Sequence, residues 1–353
     1  MAGREGTLAP LLEINDLRLT LGGFTLGSVT LSLEEGDYMV LLGPTGCGKT
    51  SLLRAIVGIY AAGPGRIRLD DKDMSGVPLH KRDIGYVAQI ANLFPHMNVA
   101  RNIEFGLACR GVARRDRGEK VRGIAEMLKI TKLLDRDTWN LSGGESRLVS
   151  LARSLVVDPR VLLLDEPLSG LHHTARTDML SILRTVHEDL GTATIHVTHN
   201  RDEAWAFGER CAVMREGGIE QVGAVEELFR RPKTRFVAEF LGDANVFPAT
   251  FEQDASGWIA KVAWGEFRLP EPPEGSRGYL QIRPDSLALT EEGGDIFGVA
   301  RAVRDQGMLS ELDLAVPNGE TLRVHLLTTA CKGIAPGANV ALKLSSPPHP
   351  IVE

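Results

Sequence analysis

Tyr38-Met-Val-Leu-Leu42 runs directly into Gly43-Pro44-Thr45-Gly46-Cys47-Gly48-Lys49-Thr50-Ser51, and that turn runs into Leu52-Leu-Arg-Ala-Ile56. An apolar β-rich run, a turn of the form G-x-x-x-x-G-K-[ST] and the start of an amphipathic helix predict strand, loop and helix in that order. Backbone N–H groups from Gly43 to Ser51 can wrap phosphate oxygens at the positive end of the helix, and Lys49 reaches the terminal phosphates. Thr50 brings a hydroxyl to a Mg²⁺ ion on those phosphates. The stretch is a phosphate cradle.

Further along, Val161-Leu-Leu-Leu-Asp165-Glu166 is a buried strand ending in two carboxylates. A parallel sheet presents such a strand end at the edge where α/β folds bind ligands. Asp165 can hold Mg²⁺ through its hydration shell, and Glu166 can orient or deprotonate an attacking water. Leu141-Ser142-Gly143-Gly144-Glu145 precedes a helix with apolar Leu148, Ala152 and Leu155. Ser142 and Glu145 have capping-box spacing, and the two glycines bare a second helix end suited to an anion.

These motifs sit in an alternation of strand and helix patterns that continues to about residue 241. Ile84–Val87 and Ala193–Val197 are nearly continuous apolar runs, as strands covered on both faces require. Val121, Ile124, Ala125 and Leu128 mark one amphipathic helix. The basic cluster before it (Arg110, Arg114, Arg115, Arg117) is interleaved with Asp116 and Glu119 and reads as a solvated face. From Gly242 onward, short alternating segments (Trp258–Ala263, Tyr279–Ile282, Ser310–Val316, Thr321–Leu326, Val340–Leu344) are separated by Gly/Pro punctuation. They predict a small all-β, barrel-like domain. GYLQIRP (278–284) and ANVALKLS (338–345) are faintly similar and suggest an internal repeat. Thr328-Thr329-Ala330 is the one local candidate for an anion site there, although a capped surface loop explains it better.

With 353 residues the chain is long enough for about two domains. Its net charge of −6 and 5% aromatic content speak against nucleic acid as a partner. Cys47, Cys109, Cys211 and Cys331 are too scattered for a disulfide framework or a zinc site, which fits a reducing cytosol. No apolar run is long enough to span a bilayer, and the N-terminus lacks the apolar segment of a secretory leader.

Taken in order, GPTGCGKT, Gln89 in YVAQ, LSGGE, VLLLDEP, Ser169-Gly-Leu171 and His199 in VTHN resemble the ATPase cassette of ABC transporters. The resemblance covers residues 11–241. The segment 243–353 resembles the regulatory (TOBE/MOP-like) β domain appended to one class of importer ATPases. Residues 72–107 look most like molybdate/tungstate importers, whereas RPDSLAL (283–289) is shared among oxyanion, sugar and polyamine importers. The implied fold is an α/β P-loop NTPase followed by a smaller all-β, OB-like barrel. The implied activity is ATP hydrolysis driving import, with ATP and Mg²⁺ as cofactors. The alternatives in solute are sulfate, iron, sugar or polyamine.

The family pattern assigns roles to residues of this chain. Gly43 to Ser51 would cradle the phosphates, with Thr50, Asp165 and Gln89 on the Mg²⁺ side. Glu166 would act on the water and His199 would touch the γ-phosphate. Ser142, Gly143 and Gly144 would close over the nucleotide of a second copy in a head-to-tail homodimer. Transmembrane permease subunits and an upstream solute-binding protein would complete the system, with this chain peripheral on the cytoplasmic face of the cell membrane. A non-transport ABC ATPase is disfavoured by the single cassette and the lack of a heptad insertion. A switch without hydrolysis is disfavoured by Glu166.

The chain also departs from the pattern. The adenine-stacking aromatic is missing, with Leu21 and Phe24 as the nearest candidates. Ser146-Arg147-Leu148 follows LSGGE in place of Gln-Gln-Arg, and His172 and Asn200 each replace an Asp.

Overall fold

The computed structural model describes residues 9–242 and 244–352. Residues 1–8, read above for a leader, and residues 243 and 353, the expected ends of the β domain, lie outside the described residues. The chain divides into two compact units between Val225 and Glu226.

The first unit opens with β1 (Leu12–Leu21), β2 (Phe24–Leu33), β3 (Tyr38–Leu42) and α1 (Lys49–Val57). Short strands β4 (Ile67–Leu69) and β5 (Lys72–Asp73) complete an antiparallel sheet of order β2-β1-β4-β5. Then come β6 (Ile84–Val87) and helices α2 (Val99–Cys109), α3 (Arg114–Met127) and α4 (Gly143–Leu155). The unit continues through β7 (Val161–Asp165), α5 (His173–Leu190) and β8 (Ala193–Thr198). It ends with α6 (Arg201–Phe207), β9 (Arg210–Arg215) and β10 (Gly218–Ala224).

The central sheet has the order β10-β9-β3-β8-β7-β6, parallel except for β10 at one edge. Both of its faces are covered, which is why its strands read as unbroken apolar runs. Val161 and Leu163 enter the core shared with α1 and the antiparallel sheet, while Leu162 and Leu164 enter the core built by α2 to α5. The expected helix is α3, with Val121, Ile124, Ala125 and Leu128 buried. In the basic cluster beside it, Arg110 pairs with Asp83 and Arg117 with Glu104. No helix among the described residues is long and apolar enough to cross a membrane.

Register decides where the site forms. Leu42 lies opposite Thr198, Asp165 opposite Val197 and Val87 opposite Leu164. The residues that follow these strand ends (Gly43, His199, Glu166 and, two further on, Gln89) therefore leave the sheet along one edge.

The second unit begins with α7 (Val225–Arg230), which spans the division, and α8 (Arg235–Leu241). Two antiparallel sheets follow. The first contains β11 (Asn245–Asp254), β12 (Gly257–Val262), β13 (Gly265–Leu269) and β14 (Arg277–Ile282). The second contains β15 (Leu287–Leu289), β16 (Ile296–Asp305), β17 (Leu309–Ala315), β18 (Thr321–Leu327) and β19 (Asn339–Leu344), and β20 (His349–Ile351) returns to the first. Their orders are β13-β12-β11-β14-β20 and β15-β19-β16-β17-β18.

Both sheets feed one core, and together they make the expected OB-like barrel. Buried Asn245 staples them: its amide donates to Ile282 O and Arg323 O, and its oxygen accepts from Arg323 N–H. The two stretches suspected of being a repeat form β14 and β19, one in each sheet. Helices α7 and α8 belong with this unit because α8 packs on β11, Arg231 pairs with Glu271 and Arg283 donates to Phe229 O. The compact division therefore precedes the 241–243 boundary read from the sequence.

Candidate nucleotide site

The phosphate loop is a turn that tolerates little beyond glycine at two positions. A Cβ on Gly43 would lie 2.4 Å from Met214 O and 2.7 Å from Cys47 Sγ. Gly48, with φ of 107°, stands at the N-cap of α1, and a Cβ there would lie 2.6 Å from the Phe24 ring. Inside the turn, Cys47 N–H donates to Pro44 O. The buried Lys49 ammonium donates to Gly43 O at 2.7 Å and Pro44 O at 2.8 Å. Thr45, Gly46 and Ser51 complete the loop and the first turn of α1.

The turn returns Thr50 to the end of β7, where its hydroxyl donates to Asp165 Oδ1 at 2.8 Å. Tyr86 on β6 donates to the other oxygen, Oδ2, at 3.1 Å. Asp165 is 2% exposed, and burial raises its carboxyl above the ordinary value against the lowering effect of these two hydroxyls. Burial and the Asp165 charge push the Tyr86 phenol up to about 12. Hydroxyl and carboxylate oxygens are hard donors suited to Mg²⁺, which takes one or two carboxylates plus water and substrate phosphates. No group of three His, Cys, Asp or Glu that could hold a metal ion is found among the described residues.

Glu166 follows Asp165 with φ of 48°, a left-handed conformation for a non-glycine residue. Its N–H donates to Val197 O, and Pro167 disfavours the right-handed helical alternative. This turn aims the carboxylate between two neighbours. Gln89 Nε2 donates to Oε2 at 3.1 Å, and His199 Nδ1 lies 3.3 Å from Oε1. Facing a carboxylate, Nδ1 carries the proton, which leaves Nε2 open. Arg147 reaches Pro167 O at 3.3 Å, placing a guanidinium beside Glu166.

Gln89, Asp165, Glu166, His199 and the phosphate loop thus share one edge. Ser142, Gly143 and Gly144 instead open α4 with a cap closed on itself. Ser142 Oγ accepts from Glu145 N–H at 3.2 Å, and Glu145 accepts from Ser142 N–H at 2.7 Å. A Cβ on Gly143 would meet nothing within 4 Å, and one on Gly144 would only touch Leu171 at 3.8 Å. Neither glycine has positive φ. Helical glycine in place of alanine costs up to about 1 kcal/mol, and nothing within the chain requires it here.

Of the departures from the family pattern, Asn200 has a local explanation. Asn200 caps α6 by accepting from Asp202 and Glu203 N–H, as an Asp would. His172 occupies the N-cap of α5 without a side-chain bond. Leu148 packs into the helical core, while Phe24 lies against Gly48 and pairs with Leu21 across the β1–β2 turn. Tyr86 and Arg147 were not singled out from sequence. A tyrosine in a buried strand run was the available signal, because its hydroxyl needs a partner. In the second unit, Thr328 N–H donates to Met308 O, Ala330 N–H to Leu327 O and the Thr328 hydroxyl to Gly307 O. Thr328-Thr329-Ala330 is a turn whose Thr328 and Ala330 donors are already used.

Comparison with known proteins gives the same picture. The family model described as ABC transporter matches residues 26–169. The molybdate/tungstate import ATP-binding protein WtpC of Pyrococcus horikoshii is 38% identical over 86% of this chain and 88% of its own length. The Fe(3+) ions import ATP-binding protein FbpC of Streptomyces coelicolor is 37% identical over 90% of this chain and 86% of its own. The spermidine/putrescine import ATP-binding protein PotA of Bacteroides thetaiotaomicron is 35% identical over 86% of this chain and 66% of its own. Among solved structures, cbiO1 of Clostridium perfringens, part of the ABC transporter complex cbiONQ, superposes with a TM-score of 0.57. It is 28% identical and covers 62% of this chain and 90% of its own. A phosphate loop facing a buried Asp–Glu strand end, together with relatives matched over most of both chains, places this protein in the ATP-binding family of ABC import systems, ATP hydrolases that energise transport.

Proposed function

We propose that the chain energises import of an oxyanion, molybdate or tungstate. One observation carries this reading: the P. horikoshii molybdate/tungstate protein is 38% identical over 86% of the chain, above the iron and polyamine proteins at 37% and 35%. Ferric iron or a polyamine is the second reading, favoured by relatives of 37% and 35% identity.

In this reading the cassette spans 11–241, and Gly43 to Ser51 wrap the phosphates of ATP. Lys49 exchanges the carbonyls of Gly43 and Pro44 for the terminal phosphates. Thr50 and Asp165 would hold Mg²⁺, with Gln89 beside them; bound there, the ion would neutralise charge on the phosphates. Glu166 receives the proton of the attacking water or orients it, and His199 turns Nε2 toward the γ-phosphate. Phe24 forms an apolar wall beside the loop.

Ser142, Gly143 and Gly144 close over the phosphates of a second copy in a head-to-tail homodimer. The two glycines, costly to α4 and unexplained by contacts within the chain, support an approach from outside it. Transmembrane permease subunits hold the dimer on the cytoplasmic face of the membrane, a solute-binding protein delivers cargo, and the β domain at 243–353 regulates or dimerises.

The test is co-purification of membrane subunits with the chain from detergent-solubilised membranes, followed by reconstitution in vesicles. ATP-dependent uptake of radiolabelled molybdate or tungstate is expected; uptake of ferric iron or spermidine alone would establish the second reading.

A further inference from the structure

The hydroxyl of Tyr86 is a polar group on a strand otherwise buried among apolar side chains, and the phosphate chemistry described above does not use it. It has two neighbours. The Arg54 guanidinium on α1 lies beside it and donates to Tyr60 Oη at 3.3 Å. The other neighbour is Asp165 Oδ2 at 3.1 Å. A carboxylate only accepts, so the single Tyr86 proton goes to Asp165, and the direction of this bond is determined.

We propose that Tyr86 is a positioning residue for the divalent cation: by holding Asp165 Oδ2, it fixes the carboxylate so that Oδ1, the oxygen beside the Thr50 hydroxyl, faces the metal on the nucleotide. The proposal rests on reading Asp165 as the metal-side carboxylate. Rotation about the last torsion of an aspartate is broad and roughly two-fold, so Thr50 alone, on one oxygen, leaves the plane of the group free to turn. A donor on the second oxygen, the Tyr86 hydroxyl on neighbouring strand β6, removes that freedom. Outer hydrogen bonds of this kind orient metal-binding carboxylates, and losing one typically weakens metal affinity about 10- to 100-fold. The ring of Tyr86 packs against the core beneath the sheet, so phenylalanine retains the packing and removes only the oxygen.

The experiment measures binding rather than turnover, on the full chain. An N-methylanthraniloyl derivative of ATP is titrated in EDTA, and then Mg²⁺ is added to find the concentration that half-maximally tightens nucleotide binding. For Tyr86→Phe, affinity in EDTA is expected to be unchanged and the half-maximal Mg²⁺ concentration to rise about 10- to 100-fold. Tyr86→Met, which also lacks the hydroxyl, should shift by the same factor. An unchanged Mg²⁺ requirement overturns the proposal. So does an equal loss of affinity with and without Mg²⁺, which is what a merely structural role produces. Asp165→Asn separates the inference from the reading beneath it. If that variant keeps the full Mg²⁺ effect, Asp165 is not the metal-side carboxylate and both fall. If it loses the effect while Tyr86→Phe keeps it, only the role of Tyr86 falls.

Discussion

Replacing Glu166 by glutamine changes the chemistry of the side chain and almost none of its shape. The carboxylate accepts on both oxygens, from Gln89 Nε2 at 3.1 Å and opposite His199 Nδ1 at 3.3 Å. A glutamine has one accepting oxygen and one donating nitrogen, so it keeps the Gln89 bond through the oxygen and faces His199 with the amide, which bonds to Nδ1 once the imidazole proton moves to Nε2. The local loss at these exposed contacts is about 0.5–1.5 kcal/mol, confined to Gln89 and His199. Lys49 and Thr50, the proposed phosphate and metal contacts, bond to Gly43, Pro44 and Asp165 and are untouched. The left-handed backbone at position 166 is no harder for glutamine than for glutamate. ATP affinity should therefore stay within about threefold, the range of an isosteric change. Hydrolysis loses its proton acceptor, which typically costs about 10²- to 10⁴-fold, or about 2.7–5.5 kcal/mol. The assay is single-turnover hydrolysis of bound radiolabelled ATP by rapid quench, with affinity measured separately. Parental hydrolysis by a variant that binds ATP normally would refute the assignment of Glu166. Loss of binding to match the loss of rate would make it part of the cradle instead.

Lys49→Ala should weaken ATP binding about 10- to 150-fold, the worth of one charge-assisted bond. Ser142→Arg should leave binding to the single subunit within about threefold and abolish ATP-dependent dimerisation in light scattering; equal binding loss in both would exclude a role across the dimer. Buried Asn102 accepts from Phe94 N–H and donates to the carbonyls of Phe94, Met97 and Asn98, so Asn102→Ala should destabilise the first unit by about 3 kcal/mol. The urea midpoint should fall with the slope unchanged, and a shift below about 0.5 kcal/mol would contradict this. Burial lowers the pKa of His349 in the second unit below 6.5, so the unfolded chain binds this proton first as pH falls. The stability it contributes is full above pH 6.5 and is lost from there down toward the depressed folded value. Urea midpoints followed through Trp258 and Trp264 should show this decline, and His349→Gln should flatten it.

Much of the cassette was legible because its signals are local. The run Tyr38–Leu42, the glycine turn and the following helix are contiguous, and backbone geometry alone forces their order. The Ser142–Glu145 capping box and the alternation of Val161 to Leu164 between two cores are likewise set by near neighbours and by the two-residue period of a strand. Antiparallel strands were read less completely, in the cassette (β1, β2, β4, β5) as in the β unit (β11, β13, β16, β20). Pro248 interrupts β11, and pairings such as β1 with β4 and β16 with β19 join segments distant in sequence. The same limit governed the site. That Gly43, His199, Glu166 and Gln89 meet along one edge follows from the register among β3, β8, β7 and β6, elements whose paired residues are up to 156 apart in sequence (Leu42 with Thr198) and whose alignment no local pattern encodes. Sequence by itself determined which chemical groups this protein has and the strand ends that carry them. Tertiary structure alone decided that Tyr86 holds the second oxygen of Asp165, that Gln89 and His199 share Glu166, and that among the described residues Gly143 faces open space and Gly144 only Leu171. Those facts depend on long-range packing, where a few ångströms of placement decide which donor meets which acceptor.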